Sequence, residues 1–418
     1  MKILVIGGGG REHALAWKLS QSPKATQIFV APGNGGTSLL EKTTNVNIGA
    51  EDIDGLLAFA KEEQIDLTVV GPEVALVLGI VDRFMAEGLR IFGPKQEAAQ
   101  LEGSKDYAKQ FMDKYQVPTA QFRTFTSAKD AKNHLGIYGY PMVIKADGLA
   151  AGKGVVIAQN EAEALEALDN MMVDRAFGEA GDTIVVEEFL EGIEASVLCF
   201  VDGDVIVPME SVQDYKKAYD KDLGPNTGGM GTYSPSLIYT QAIADKVKAE
   251  VLDPVAAGFK AENYDFKGIL FIGLMIDGRD LRVLEFNCRF GDPETQALMP
   301  RLETDLVDII ESILDGNLAD VDLQWKEETS ICVVLASEGY PGSYEKGRAI
   351  AGTDKGGLIF HAGTKATNGD LVTSGGRVMG VIGLGNTIIE ARDDVYGRIS
   401  EVSFEGMQYR NDIGMLIR

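Results

Sequence analysis

The chain opens with an apolar run that ends in four consecutive glycines, and this arrangement restricts the fold more than any other stretch. Residues 1–6 read Met-Lys-Ile-Leu-Val-Ile, and Gly7 to Gly10 follow. A nearly continuous apolar run of this length is typical of a parallel strand buried on both faces. The residues after the glycines predict an amphipathic helix through Ala14, Leu15, Trp17 and Leu19. Strand, tight turn and helix indicate the first unit of a doubly wound α/β sheet.

The pattern of the chain changes after about the first hundred residues. Further strands at 28–30 and 66–70 alternate with helical stretches, which favours a doubly wound sheet. The middle instead shows strand–turn–strand patterns, with hairpin signals at 202–204 and 277–280. We predict an N-terminal α/β domain at 1–101, an antiparallel α+β body at 102–325 with a sub-domain inserted at about 120–190, and a small C-terminal domain at 326–418.

The acidic composition of the chain limits its partners. The net charge is −24 and the isoelectric point is about 4.6. Nucleic acids and anionic membranes require a basic surface, so neither is expected as a partner. We find no apolar run of membrane-spanning length and no signal peptide, and three scattered cysteines give no disulfide framework. These features predict a cytoplasmic protein that binds phosphates through local cationic side chains and backbone amides.

The first glycine-rich turn only partly matches a dinucleotide-binding fingerprint. Gly7 and Gly9 fit the first two glycines, but Glu12 occupies the third position and no acidic residue ends the second strand. Backbone amides at a helix N-terminus still bind anions, and Arg11 stands beside them. A substrate phosphate or carboxylate therefore fits better than a nicotinamide cofactor, and a tight turn that needs only small residues is the structural alternative.

A second glycine-rich element, K-A-D-G-L-A-A-G-K-G at 145–154, lies between two predicted strands. It is not a P-loop, because Gly154 rather than Ser or Thr follows Lys153 and no helix comes next. Lys145 lies in an apolar strand, and a buried ammonium is costly unless an anion pairs with it. The element is therefore suited to closing over a triphosphate, with a solvated hairpin tip as the alternative.

The strand at 284–287 predicts a metal site. Period-2 alternation puts Glu285 and Asn287 on one face, and the phenylalanine between them faces a core. Two oxygen ligands that converge in this way suit Mg²⁺ that also holds phosphate oxygens. Arg289 continues the same face and begins R-F-G-D-P-E-T-Q at 289–296, where charges of both signs surround Gly and Pro. A charged exposed turn is the alternative for that segment.

Two further segments carry weaker signals. A linker after the strand at 185–190 can present backbone groups to an adenine edge, and Glu194 can offer a carboxylate to ribose hydroxyls. A solvated strand end is the alternative. The loop G-P-N-T-G-G-M-G at 224–231, which follows Asp214, has bare amides that can approach a small substrate closely.

Together these segments resemble the phosphoribosylamine–glycine ligase (glycinamide ribonucleotide synthetase) family of the ATP-grasp superfamily. The likeness runs along essentially the whole chain. It rests on the segments at 289–296, 224–231 and 145–154, on L-E-G-S-K at 101–105 and on G-G-G-G-R-E-H-A at 7–14. At position 215 this chain has Tyr where the family more often has His.

The resemblance implies an ATP-grasp fold with an N-terminal domain, a lid sub-domain and a small C-terminal domain. It implies the joining of glycine to 5-phosphoribosylamine with ATP, through glycyl phosphate, in purine biosynthesis, by a monomer or weak homodimer. Arg289 and Lys145 would be catalytic, and Glu285 and Asn287 would hold Mg²⁺ or Mn²⁺. ATP would be bound by Lys105, Lys145, Gly148, Gly152, Lys153, Gly154, Glu187, Glu188, Phe189, Leu190 and Glu194. The two other substrates would be bound by Gly9, Gly10, Arg11, Asp214, Asn226, Thr227, Gly228, Gly229, Met230, Arg289 and Asp292.

Three alternatives remain open from the sequence. One is an ATP-grasp ligase that joins a different carboxylate and amine, which a substrate panel would reveal. Another is a non-catalytic nucleotide-binding module, although the intact Glu285, Asn287 and Lys145 argue against it. The third is a dehydrogenase, which would bind a nicotinamide cofactor.

Overall fold

The opening apolar run is the central strand of a parallel sheet. The computed structural model describes residues 1–150, 154–355, 357–367 and 369–415. The first strands are β1 (Lys2–Gly7), β2 (Gln27–Pro32), β3 (Thr43–Asn45), β4 (Leu67–Val70) and β5 (Ile91–Phe92). They pair in parallel in the order β3-β2-β1-β4-β5. Ile3 to Ile6 are fully buried, which confirms the predicted doubly wound α/β unit.

The strand order of this sheet reverses between β1 and β4, and polar loops leave both strands there. The helices are α1 (Gly10–Ser20), α2 (Ile53–Glu62), α3 (Glu73–Val77), α4 (Ile80–Ala86) and α5 (Gln96–Gly103). Open α/β sheets bind ligands at such a switch point, beyond the carboxyl ends of the strands. Arg11 in α1 and Glu73 in α3 follow β1 and β4 directly, so the fold brings both to this edge.

A separate antiparallel sheet forms at the position predicted for the inserted sub-domain. The elements here are α6 (Lys105–Lys114), β6 (Phe122–Phe125), α7 (Ala128–Asn133), β7 (Met142–Ala146), β8 (Val155–Ala158), α8 (Glu161–Leu168) and β9 (Ile184–Glu188). The strands pair in the order β6-β9-β7-β8. Met142 and Ile144 face a core with Ala164 and Leu168 of α8, so alternation turns Val143 and Lys145 to the opposite face.

The body of the molecule is built on a second antiparallel sheet. The strands of this region are β10 (Ile193–Asp202), β11 (Val205–Pro208), β12 (Gln213–Asp214), β13 (Lys217–Tyr219), β14 (Leu223–Asn226), β15 (Gly231–Ser234), β16 (Lys267–Asp277) and β17 (Asp280–Asn287). The helices are α9 (Gln241–Val247), α10 (Asp253–Glu262), α11 (Glu294–Leu298) and α12 (Leu306–Leu314). The sheet order is β11-β10-β16-β17, with tight turns after β10 and β16 at the two predicted hairpins.

The last unit begins with a long buried strand, as the sequence predicts near Ser330. It contains β18 (Thr329–Ser337), β19 (Ile359–His361), β20 (Thr364–Thr367), β21 (Asp370–Thr373), β22 (Arg377–Gly385), α13 (Ile388–Ile399) and β23 (Met407–Gln408). Strands β12 and β15 of the body join its sheet, in the order β12-β15-β18-β22-β19. The last unit therefore shares a sheet with the body.

The parts of the chain also share one apolar core. A single cluster contains Val5 of the first sheet, Phe290 and Ile310 of the body and Ile382 of the last unit. Because this apolar core runs across all three predicted domains, it does not mark where one domain ends and the next begins, and the domain boundaries stay a prediction. Within the described residues, no helix has the length and apolar character needed to cross a membrane.

Candidate active site

A cavity of about 480 Å³ lies between the inserted sheet and the body sheet. The inserted sheet contributes the face that carries Val143 and Lys145, and the body contributes side chains of β16 and β17. Arg11 and Glu73 reach the cavity from the first unit, and Arg377 reaches it from the last. Segments that are far apart in sequence therefore build one site.

Part of the cavity wall is apolar. Val143 of β7 and Val155 and Ile157 of β8 lie on one side, and Phe271 and Met275 of β16 lie on the other. The linker after β9 adds Phe189 and Leu190, which the sequence assigned to an adenine edge. A slot with apolar walls and nearby backbone groups suits a flat heteroaromatic ring.

A buried carboxylate fixes two lysines beside this slot. The Glu187 carboxylate lies 2.8 Å from Nζ of Lys145 and 3.0 Å from Nζ of Lys109. All three residues are at most 8% exposed. Burial acts to raise the pKa of Glu187, but the two ammonium groups outweigh it and lower that pKa. Burial lowers the pKa of Lys109 to about 8. Two ammonium groups share one carboxylate, so this cluster has excess positive charge that can attract a phosphate group.

Lys105 joins the second glycine-rich element to helix α6. Its Nζ donates to the carbonyl of Gly148 at 3.0 Å, and its backbone amide donates to the carbonyl of Asp147 at 3.0 Å. The Asp147 carboxylate also accepts from the backbone amide of Asp106 at 2.7 Å, at the first turn of the helix. Burial lowers the pKa of Lys105, although Glu285 opposes the shift. Lys105 is thus a second cation on the cavity wall.

Glu285 and Asn287 both line the cavity, and Phe286 between them is 2% exposed. A β-bulge lies here, since Gly273 pairs with Glu285 while Leu274 pairs with Val283. Burial acts to raise the pKa of Glu285, but Lys216, Lys145 and Lys105 together lower it, so this carboxyl is ionised at neutral pH. An anionic oxygen and an amide oxygen on one face fit the donor set of a hard divalent cation.

Arg289 is held by carboxylates from two parts of the chain. Its Nη2 lies 3.0 Å from Oε1 of Glu102, and its Nε lies 3.4 Å from Oε2 of Glu73. Nη1 of Arg11 is 3.9 Å from the same Glu73 carboxylate. Burial opposes the charge of Arg289, but Glu102 and Glu73 raise its pKa. Burial also raises the pKa of Glu102 to about 7. The network fixes two guanidinium groups at the switch point.

Arg377 fastens the glycine-rich loop of the body to the cavity wall. Its Nη1 donates to the carbonyls of Gly228 and Asp292, each at 2.7 Å, and lies 3.5 Å from the Asp292 carboxylate. Asn226, Thr227 and Gly228 of this loop line the cavity.

Several predicted site residues lie elsewhere. The Gly9 amide donates to the Glu12 carboxylate at 2.6 Å, which fills the helix end that the sequence assigned to a substrate anion. Met230 is fully buried, and both of its backbone groups bond within the sheet region. The cavity-lining residues described here do not include Gly9, Gly10, Gly148, Gly229 or Met230. Gly152 and Lys153 lie outside the described residues.

The other predicted binding residues do meet at the cavity. Its wall includes Arg11, Lys105, Lys145, Gly154, Glu187, Glu188, Phe189, Leu190, Glu194, Asp214, Asn226, Thr227, Gly228, Glu285, Asn287, Arg289 and Asp292. Tyr215 points away, because its ring packs in the core of the last unit under Arg410 at 5.0 Å.

The sequence analysis missed six charged residues of this wall. They are Glu73, Glu102, Lys109, Lys216, Glu294 and Arg377. Glu73 follows the apolar strand β4 in a Gly-Pro-Glu turn, which is a signal of the same kind as the first glycine turn. Glu102 and Lys109 flank Lys105 on two helices and carry no comparable local signal. For Arg377, which is 85 residues from its partner Asp292, we find no signal in the sequence.

Family models match nearly the whole chain. The N domain of phosphoribosylglycinamide synthetase matches residues 1–102, its ATP-grasp (A) domain matches 103–295, and its C domain matches 330–416. The chain belongs to the phosphoribosylglycinamide synthetase family. This finding confirms the family and the fold class that the sequence predicted.

Individual relatives of this family agree along the full length. The phosphoribosylamine–glycine ligase of Vibrio vulnificus (strain CMCP6) is 51% identical over 419 residues, covering 99% of this chain and 98% of its own. That of Neisseria meningitidis serogroup A is 51% identical over 418 residues, with the same coverage. The crystal structure of the Thermotoga maritima phosphoribosylamine–glycine ligase superimposes with a TM-score of 0.87 at 35% identity, covering 99% of this chain and all of that one. Biotin carboxylase from Campylobacter jejuni, at 14% identity and a TM-score of 0.77, shares the fold.

Proposed function

We propose that the chain catalyses the ATP-dependent joining of glycine to 5-phosphoribosylamine, giving glycinamide ribonucleotide, ADP and phosphate. Membership of the phosphoribosylglycinamide synthetase family supports this reaction. The structural observation that carries it is one cavity whose wall combines apolar side chains with lysines, Glu285, Asn287 and Arg289. The apolar side chains suit a nucleotide base, and the cations with the oxygens of Glu285 and Asn287 suit a reacting phosphoryl group.

ATP would lie with its adenine in the slot and its phosphates toward Lys105 and Lys145. Glu187 to Leu190 would frame the base, and Glu194 would bind the ribose hydroxyls. In the present structure Glu194 pairs with Lys216 at 2.9 Å, so this role requires the carboxylate to exchange partners. The second glycine-rich element at 145–154 would close over the phosphates.

The oxygens of Glu285 and Asn287 fit Mg²⁺ or Mn²⁺. No group of three or more His, Cys, Asp or Glu side chains among the described residues could hold a metal ion alone. Phosphate oxygens and water would therefore complete the coordination, as is usual for Mg²⁺ in nucleotide sites. When bound, the ion would neutralise the charge of the β- and γ-phosphates.

The chemistry requires two successive transfers. A carboxylate oxygen of glycine attacks the γ-phosphorus, the bond to the bridging oxygen of ADP breaks, and glycyl phosphate forms. The amine of phosphoribosylamine then attacks the acyl carbon, phosphate leaves, and the amine loses a proton. Lys145 and Arg289 would stabilise the charge that develops on the transferred phosphoryl group. The inserted sheet at about 120–190 would act as a lid that keeps water from the reactive acyl phosphate.

We further propose the domain boundaries 1–101, 102–325 and 326–418, a cytoplasmic location, and a monomer or weak homodimer. The second substrate's phosphate would be bound near Arg11, in a side-chain role, because the Gly9 amide is already bonded to Glu12. The cavity-lining Asp214, Asn226, Thr227, Gly228 and Asp292 would complete the site for the two non-nucleotide substrates.

A reconstitution experiment tests the reaction. The protein is mixed with ATP, Mg²⁺, glycine and freshly prepared phosphoribosylamine, and phosphate release is followed with a coupled assay. Rapid release is expected only when glycine and the amine are both present. Release that is independent of glycine, or a preference for another carboxylate in a panel, would refute the specific assignment.

A further inference from the structure

Lys109 is a buried cation on the cavity wall for which the proposed reaction gives no role. It lies on helix α6 four residues after Lys105, so both side chains leave the same face of the helix. Lys109 is 2% exposed and lines the cavity. Its Nζ donates to Oγ1 of Thr119 at 2.7 Å, and that hydroxyl donates to the carbonyl of Val283 at 2.6 Å. The ammonium group is therefore fixed between α6 and β17.

The Glu187 carboxylate divides its two oxygens between two lysines. Oε2 lies 3.0 Å from Nζ of Lys109, and Oε1 lies 2.8 Å from Nζ of Lys145. These are the two ion pairs that Glu187 makes with residues in the described part of the chain. A buried carboxylate that loses every partner is strongly destabilising, so Glu187 must keep at least one of the two lysines.

The two lysines are not held equally. The contact between Lys145 and Oε1 of Glu187 is close but is not aligned as a hydrogen bond, since Oε1 has no hydrogen-bond partner among the described residues. Lys109 is by contrast anchored by its hydrogen bond to Thr119. Lys145 is therefore the partner that can exchange a carboxylate oxygen for a phosphate oxygen, while Lys109 stays in place.

We propose that Lys109 is a positioning residue that holds Glu187 alone while Lys145 turns from Glu187 to the triphosphate. The inference rests on the proposed function, in which Lys145 binds the phosphates of ATP. If Lys145 were the sole partner of Glu187, ATP could bind it only by leaving a buried carboxylate unpaired. With Lys109 in place, Glu187 keeps an ion pair after Lys145 has moved.

The test compares binding of ATP with binding of AMP, which has the same base and ribose but lacks the β- and γ-phosphates. Dissociation constants are measured by calorimetry with Mg²⁺ and without glycine, so that no product forms. Lys109→Met should raise Kd for ATP at least about tenfold, because Lys145 can then reach the phosphates only by leaving Glu187 unpaired. Kd for AMP should change less than about threefold. A general loss of structure would weaken the binding of both nucleotides alike.

A second substitution distinguishes this exchange from a structural role. In the double variant Lys109→Met/Glu187→Gln no carboxylate holds Lys145, so Kd for ATP should return to within about threefold of the native value. Lys109→Gln, which is uncharged but polar, gives the same comparison with a different side chain in the buried position. Lys114→Met, which removes an exposed lysine of the same helix that pairs with Glu262, is the matched control and should bind both nucleotides as the native protein does.

Three results would each overturn the role of Lys109. They are native ATP affinity in Lys109→Met, equal losses for ATP and AMP, and no restoration of ATP affinity by Glu187→Gln. Product formation from glycine tests the proposed reaction separately. If the native protein binds ATP but joins no glycine to phosphoribosylamine, the reaction is refuted while the effect of Lys109 on ATP binding still supports the exchange. If product forms but Lys109 has no such effect, the exchange alone is refuted.

Discussion

Glu187 illustrates how the environment of one residue changes the role that its sequence position suggests. The family resemblance assigns it to the frame of an adenine ring. In the structure its carboxylate lies between Lys145 and Lys109 at 2.8 and 3.0 Å. The carboxylate thereby orients two ammonium groups in a buried place where unpaired lysines would be costly. Its contribution to nucleotide binding would then be indirect, through Lys145.

At this scale we predict that Lys145→Met lowers kcat about 10²–10³-fold, because one preorganised donor to the developing charge is lost. Glu187 keeps Lys109 as its partner, so the fold should survive. Steady-state phosphate release checks the rate, and circular dichroism checks the fold. Lys260→Met, at an exposed surface lysine, is the control. A Lys145→Met variant with more than a tenth of native turnover would contradict the proposed role.

At the scale of single elements, the alternation of side chains along a strand decides which of them face the core and which face the cavity. Strand β7 sends Met142 and Ile144 into the core of the inserted sheet, while Val143 and Lys145 face the cavity. Period-2 alternation alone dictates this division. The same rule puts Glu285 and Asn287 together on β17, which is why the sequence could predict both.

Filling the apolar slot should impair nucleotide binding without removing the catalytic charges. We expect Val143→Trp to raise KM for ATP at least about tenfold, since the added ring occupies the volume proposed for adenine and the lost binding energy exceeds about 1.4 kcal/mol. Turnover at saturating ATP should fall much less. Gln159→Trp, at the exposed end of the same sheet, is the matched control. An unchanged KM for ATP in Val143→Trp would place the base elsewhere.

The β13–β14 hairpin, which leads into the loop at 226–229, is held by the chain's C-terminal segment. Arg410 is 1% exposed, and it pairs with Asp412 at 2.7 Å and with Asp222 at 2.8 Å. Its Nη1 also donates to the carbonyl of Lys217 at 3.0 Å. The substrate loop is therefore tied to residues almost two hundred positions later.

We predict that Arg410→Met lowers the free energy of unfolding by about 3 kcal/mol, because the loss of this buried guanidinium leaves the largely buried Asp412 carboxylate and the Lys217 carbonyl without their partner. Urea denaturation measures the change. Arg348→Met, which removes a half-exposed arginine paired with Glu405, should cost less than about 1 kcal/mol. If the free energy of unfolding fell by similar amounts in the two variants, Arg410 would not be what holds the β13–β14 hairpin.

At the scale of the whole molecule, two buried histidines join the first unit to the last. The backbone amide of His361 donates to Nδ1 of His13 at 2.8 Å, and Phe360 meets the His13 ring edge-on at 5.6 Å. Burial lowers the pKa of His13 to about 3, with a smaller contribution from His361. Burial likewise lowers the pKa of His361 to about 4. Both rings are therefore neutral in the folded protein at neutral pH.

This contact should weaken in acid. Below pH 6.5 the histidines of the unfolded chain become protonated, whereas in the folded protein both stay neutral because their pKa values are lowered. The free energy of unfolding therefore falls as the pH drops toward 4, by about 1.4 kcal/mol per pH unit for each histidine. Glu102 opposes this slope, because its raised pKa makes the folded state bind a proton first. The informative quantity is therefore the difference between variants. His13→Phe should lose about 1.4 kcal/mol per pH unit less than the native protein between pH 6 and 4.5.

Urea unfolding at several pH values measures that difference. Phe360→Leu disturbs the same contact without removing a titrating group, so it should keep the native pH dependence. A His13→Phe variant with the native slope would contradict the low pKa of His13.

The sequence predicted what local patterns encode and missed what only folding brings together. The central strand, the hairpins and the pair on β17 follow from apolar periodicity and turn residues. Glu102 and Arg377 are different, because their neighbours in space are Arg289 and Asp292, far away along the chain. The Gly9 amide shows a further limit, since the pattern of glycines gives no sign that the Glu12 carboxylate would bind it.

The bond from Arg377 to the loop at 228–229 has a consequence for synthesis of the protein. A ribosome would already have released most of the proposed nucleotide and metal ligands before it added this arginine. Until then the loop would lack the clamp that sets its distance from Asp292. We therefore expect nascent chains that stop short of β22 to form no product, because the loop proposed for the two non-nucleotide substrates would not yet be held in place.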